Sequence, residues 1–109
     1  MTMNVYQFSL PYDYTAEELN ICRELTVFGS ESWNYAWFEK FEKVAVVDAD
    51  CLSEIFAIMN RWGDADEAKV TRLAPLHSLS VGDIVEKDGS FFMVDRRGWC
   101  QLASMEVAA

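Results

Sequence analysis

The sequence predicts a single α+β domain: a mostly antiparallel sheet, two helices and a C-terminal three-stranded meander. Three observations carry that expectation. Residues 76–102, LHSLSVGDIVEKDGSFFMVDRRGWCQL, alternate short apolar stretches with turn residues. Within them Asp88-Gly89 is a dipeptide favoured by two-residue hairpins. Two segments, near 15–28 and 50–61, repeat apolar residues at helical spacing. The length, 109 residues, is that of one domain, taken as 1–109.

The elements follow in order. Tyr6, Phe8 and Leu10 alternate with Val5, Gln7 and Ser9, which predicts a strand over 4–10 with the aromatic set facing the core and Pro11 ending it. Thr15-Ala-Glu-Glu18 fits a capping box, with the Thr15 hydroxyl and the Glu18 carboxylate each satisfying a backbone amide. Leu19, Cys22, Leu25 and Phe28 then mark a helix to Phe28, and Gly29 suits its end. Residues 29–34 read as a loop. Trp33, Trp37, Phe41 and Val44 have helical spacing, but the β-branched run Val44-Ala-Val-Val47 favours a strand over about 37–48. Asp50 is a suitable N-cap for a second helix buried through Leu52, Ile55, Phe56 and Met59 and ending near Asn60 or Arg61. Residues 61–69 are polar and predict a flexible loop. A short strand at 70–73 and strands near 83–87, 91–95 and 99–102 complete the chain.

Charge narrows the function. Eighteen acids against nine bases give a net charge of −9, and residues 1–60 hold ten acids and three bases. Such a field disfavours phosphate backbones and anionic membranes and favours a protein partner with a basic surface, although ordinary solubility also accounts for an acidic chain. The three cysteines, Cys22, Cys51 and Cys100, have no paired spacing, so neither a disulfide framework nor a zinc site is expected. The start MTMNVYQFSL has no basic segment followed by an apolar one, and no apolar run approaches the ~20 residues of a membrane span. The expected location is the cytoplasm, with no direct nucleic-acid or membrane contact.

Over residues 41–102 the chain resembles a family of small proteins, uncharacterised in function, encoded by phages, plasmids and integrative elements. The shared pattern is a strand, a helix ending in Asn, a variable linker, Arg-Ser-x-Ser-Val-Gly-Asp-Val, an Asp-Gly turn and a late Gly-Phe or Gly-Trp. Phe56, Asn60, Ser78, Ser80, Val81, Gly82, Asp83, Gly89, Gly98 and Trp99 match it, and His77 replaces the Arg. The resemblance implies a mobile-element origin and a fold, and no reaction.

Chemical constellations are sparse. His77 is the only histidine, so a thiol–imidazole site would pair it with a cysteine, Cys100 being the candidate. Asp64-Ala-Asp66-Glu67 fails the calcium-loop spacing, since Lys69 stands where Gly is required. Asp48, Asp50 and Glu54 could hold a metal weakly, but helix capping accounts for Asp50 more simply. Ser78 and Ser80 lead into a strand and not a nucleophile elbow. Gly82 and Gly89 open no helix, which excludes a phosphate loop. Arg96-Arg97 beside Asp95 is too small for a nucleic-acid footprint. Trp33, Tyr35 and Trp37 form the densest aromatic patch, readable as core or as an interface, a homodimer included.

The sequence therefore points to a non-enzymatic protein-binding accessory protein of a mobile element, such as an acidic anti-defence inhibitor of a host nucleic-acid-binding complex (an anti-CRISPR, for example). The partner-binding candidates are Glu17, Glu18, Glu24, Glu31, Trp33 and Tyr35; no catalytic, cofactor or metal residue is expected. A self-assembling structural protein, or a small enzyme using His77 and Cys100, are the alternatives.

Overall fold

A computed structural model describes residues 1–103, and among them six strands form one antiparallel sheet in the order β3-β2-β1-β4-β5-β6. The strands are β1 (Thr2–Gln7), β2 (Glu42–Asp48), β3 (Val70–Arg72), β4 (Ile84–Lys87), β5 (Ser90–Val94) and β6 (Trp99–Gln101). The helices are α1 (Ala16–Phe28), α2 (Leu52–Arg61) and the single turn α3 (Asp64–Glu67). The α+β class and the terminal meander β4–β6 match the expectation.

Because β1 pairs with both β2 and β4, it lies inside the sheet and both its faces are covered. The expected core face of 4–10 is thereby corrected. Met3, Val5 and Gln7 are the sealed set, whereas Tyr6, Phe8 and Leu10 are half-buried. The strand also stops at Gln7. Alternation marks one face well, but an inner strand packed on both sides needs apolar residues on each. A bulge opposite Val5 and Tyr6 lets the neighbouring residues Val44 and Ala45 both be buried.

Two cores result. On one side of the sheet Met3, Val5, Val44, Ala45, Val47 and Val85 pack with Ile55, Ile58 and Met59 of α2. On the other, Ile21 and Leu25 of α1 pack with Ile84 and Met93, walled by Tyr6, Phe8, Trp33, Trp37, Phe38, Phe41 and Phe91.

Four further expectations change. The strand expected from about 37 begins only at Glu42; Gly29–Ser32 and Tyr35–Lys40 are 3-10 turns. Asn34 caps the second turn, its Oδ1 accepting from the Ala36 amide at 3.0 Å. This cap and the helical spacing of Trp33, Trp37 and Phe41 outweigh the β-branched signal up to Lys40. Cys51, not Asp50, is the N-cap of α2, and its thiol lies 3.2 Å from Ser53 Oγ. The Ser53 side chain and the Glu54 amide hold that thiol below its usual pKa.

Phe56 is 41% exposed, and Ile58 takes its place in the core. Residues 61–69 carry the helical turn α3 where an irregular loop was expected. Trp62 ends α2 in the left-handed region at φ 56°. Arg61 clamps the nearly buried Asp66 with a 2.8 Å bond from Nη2, which holds that carboxyl below its usual range. Arg72 stands 4.9 Å over the Trp62 ring and pairs with Glu67.

The capping box, by contrast, forms as expected: the Glu18 amide donates to Thr15 Oγ1 at 3.1 Å and the Thr15 amide to Glu18 Oε1 at 2.9 Å. Asp88 and Gly89 have φ of 51° and 80°, the signs a type I′ turn requires. No helix among the described residues is long and apolar enough to cross a membrane.

Candidate protein-binding surface and neighbouring cavities

The six expected partner-binding residues divide into two groups. Glu17 and Glu24 stand seven residues apart on α1 and so share a flank of it, while Glu31 lies in the 3-10 turn beyond Gly29. Glu17 and Glu31 are exposed. Glu24 is half-buried and accepts from Ser32 Oγ at 2.8 Å, which fastens the turn to the helix. Val27 and Phe28, 45% and 49% exposed, close this flank at its C-terminal end.

The other three residues hold structure. Glu18 is committed to the capping box; the Thr15 amide it accepts from is the main cause of its lowered pKa. Trp33 packs edge-on against Tyr35, Trp37 and Phe41, so it belongs to the aromatic wall and is not an exposed anchor. Its Nε1 is enclosed without a hydrogen-bond partner. Tyr35 keeps 38% of its surface but accepts from the Ala103 amide at 2.8 Å, pinning the chain after β6. The patch expected on one face of a strand is thus carried on 3-10 turns, with Trp33 and Trp37 turned inward.

Gly29 sets the relation between this flank and the β5–β6 turn. It has φ 58°, and a Cβ there would lie 2.1 Å from Asp95 Oδ1. Asp95 uses the space to accept from the Ser30 amide at 2.8 Å and from the Ser30 hydroxyl. A depression of about 330 Å³ between Phe28, Glu31, Arg96 and Arg97 lies over this junction. The acidic flank therefore ends beside two exposed arginines.

An open groove of about 600 Å³ runs between α2 and the β5–β6 turn, lined by Phe56, Val81, Val94 and Trp99 with Ser53 and Arg96 at its edge. Phe56 and Trp99 meet edge to face at 6.5 Å. Sequence reasoning placed Phe56 in the core, and only the orientation of α2 on the sheet shows otherwise.

A third recess, about 150 Å³, lies between α1 and residues 77–83; Phe8, Cys22, Thr26, His77, Ser80 and Asp83 are on its wall. Gln7 organises it. Its carboxamide accepts from the His77 amide at 3.1 Å and donates to the His77 carbonyl at 2.8 Å, as a neighbouring strand would. Asp83 is 4% exposed, and burial pushes its carboxyl up to about 6. Cys100 is not on this wall: it lies on β6 opposite Met93, its thiol directed at the Gln101 carbonyl. The structure brings Cys22, not Cys100, to the recess that holds His77. Neither Gln7 nor Asp83 was singled out as a site residue from the sequence; one sits in a strand pattern and the other before a strand.

Across the central strand pair β1–β4, Asn4 and Tyr6 both donate to Glu86 Oε1, at 2.9 and 3.0 Å. Burial, with the Glu86 bond and charge, raises the Tyr6 phenol to about 12. Among the described residues no group of three or more His, Cys, Asp or Glu side chains is placed to hold a metal ion. Comparison with family models, curated proteins and solved structures gives no match.

Proposed function

We propose that this protein is a non-enzymatic binding protein whose working face is the acidic flank of α1. The observation that carries the reading is the shared face of Glu17 and Glu24 on α1, with exposed Phe28 at the helix end and exposed Glu31 in the turn after it, in a chain of net charge −9. Carboxylates supply steering toward a basic surface, and an aromatic side chain beside them supplies contact area that desolvates on docking. A cytoplasmic partner with a basic nucleic-acid groove fits this chemistry, the carboxylates standing where phosphates would lie. The resemblance over residues 41–102 adds a mobile-element origin, and with it the role of an accessory inhibitor of a host defence complex.

Kinetics against a partner of this kind test the reading. Glu17→Lys with Glu24→Lys should slow association several-fold at low salt and much less at high salt, because exposed charges are screened beyond about 10 Å at 0.1 M. Phe28→Ala should act on dissociation instead. Binding that is independent of salt and survives the double charge reversal would move the working face elsewhere. The Phe56–Trp99 groove would then favour the self-assembly reading, and sedimentation of the purified protein would show a dimer lost in Phe56→Ser.

A further inference from the structure

The recess beside Gln7 holds a feature that the folded chain itself does not satisfy. Asp83 is more than nine-tenths buried, and its hydrogen bonds all go to one oxygen. Oδ2 accepts from the Ser80 amide at 2.9 Å and from Gln7 Nε2 at 3.1 Å, with the Ser80 hydroxyl at 3.5 Å. Oδ1 has no hydrogen-bond partner among the described residues. Oδ1 is not sealed either, since the enclosed side-chain polar atom without a partner among the described residues is Trp33 Nε1, and Asp83 is part of the wall of the recess.

His77 does not neutralise the carboxylate through a hydrogen bond. Its Nδ1 lies 2.7 Å from the Ser78 carbonyl, an acceptor, so Nδ1 carries the proton and donates it there. Nδ1 lies 3.8 Å from Asp83 Oδ2, close enough for a charge interaction when the ring is protonated but too long for a hydrogen bond, and it faces Oδ2 and not Oδ1. The remaining polar wall consists of Cys22, Thr26 and Ser80, and the Thr26 hydroxyl donates to the Cys22 carbonyl. The recess thus presents a carboxylate oxygen and hydroxyls, and no lysine or arginine. Its volume, about 150 Å³, exceeds what one water needs by this measure, about 10–15 Å³.

We propose that this recess is a binding site for a single organic cation, an alkylguanidinium or alkylammonium head, with Asp83 Oδ1 as its counter-ion. A donor cation satisfies the unused oxygen and compensates a charge that burial otherwise makes costly. Phe8 and Leu25 supply apolar wall for the alkyl stem. The geometry that shapes the recess is specific: Gly82, at φ 96°, brings its backbone so close to α1 that a Cβ would lie 3.0 Å from that of Leu25. The net charge of −9 raises the local concentration of any cation. This inference stands apart from the acidic flank and does not require it.

The test is titration of the ¹⁵N-labelled protein at pH 7.5 and constant ionic strength with methylguanidinium, methylammonium and sodium chlorides. The two organic cations should give saturable shifts centred on the amides of Thr26, Gly82 and Asp83, with dissociation constants on the order of 1 mM, and sodium should not. Asp83→Asn should weaken binding at least tenfold. Should that variant lose its fold, Thr26→Phe, an exposed position at the wall, should block the recess and give the same loss with the sheet spectrum intact. Binding should also weaken as pH falls through about 6, where Asp83 takes up a proton. A Gly-Arg-Gly amide that binds tighter than methylguanidinium would assign the cation to a protein side chain; equal or weaker peptide binding would assign it to a free small amine. Non-saturating shifts, or shifts that persist in both variants, would overturn the site.

Discussion

The two faces of the sheet are built from different materials. The α2 face has a sealed aliphatic centre, with its open groove only at the margin beside Phe56 and Trp99: Val5, Ala45, Val47, Ile55, Ile58 and Met59 are all at 0% exposure. The α1 face is aromatic and porous. Its walls are half-buried rings, one indole nitrogen is enclosed without a partner, and the recess with Asp83 opens beside it. Branched aliphatic chains fill space in few rotamers and leave no polar atoms, so the first face serves stability. Rings packed edge to face leave gaps and expose rims, so the second face can hold polar groups and present a surface. Proposed binding features gather where packing is incomplete.

The largest test of this contrast is a pair of truncations. Ile58→Ala should cost about 2–5 kcal/mol in urea unfolding. Trp37→Ala, which removes a bigger but half-buried side chain, should cost less. The reverse ranking would mean that the aromatic wall, not the α2 face, holds the domain together.

A second test uses pH. Asp83 has a folded pKa of about 6 against about 3.9 for an unfolded chain, so between those values the folded state binds more protons. Stability should therefore rise as pH falls from 7 through 6 toward 4, by up to about 3 kcal/mol from this group alone. Below that, groups with lowered pKa such as Glu18 and Asp66 lose their contribution and oppose the gain. Asp83→Asn should flatten the rise. Melting curves at pH 7 and pH 5 for both proteins decide it, and an unchanged profile would place Asp83 outside the buried recess.

Gly29→Ala probes the junction of the acidic flank with the β5–β6 turn. Forcing a side chain into this positive-φ conformation costs about 1–3 kcal/mol, and the Cβ must also displace Asp95 from Ser30. Loss of protection at the Ser30 amide in hydrogen exchange would locate the damage. The smallest effect is expected at Phe56→Ala. A side chain 41% exposed on a groove edge should cost far less than its neighbour Ile58, and equal losses would show that the groove is closed in solution.

Much of the fold was legible because it is written in local signals. The Thr15–Glu18 capping box, the Asp88-Gly89 turn and the meander strands each depend on residues a few positions apart. The helical stripe of α2 was legible too, although its orientation was not: whether Phe56 or Ile58 meets the sheet depends on how α2 is placed against β1 and β2. The shared face of Glu17 and Glu24 could be read from their spacing.

What tertiary structure alone decided is everything that joins distant segments. That β1 lies between β2 and β4, and therefore needs two apolar faces, follows from strand order, which no local pattern encodes. The inward turn of Trp33 follows from the same sheet, because its partner Phe41 packs on Phe8 and on Phe38, which in turn meets Tyr6. Gln7 and Asp83 are seventy-six positions apart and meet at 3.1 Å. A glutamine in a strand and an aspartate before one carry no signal by themselves. Only the closure of β4 onto β1 removes them from water, and it is the loss of water that turns an ordinary carboxylate into a group that needs a partner.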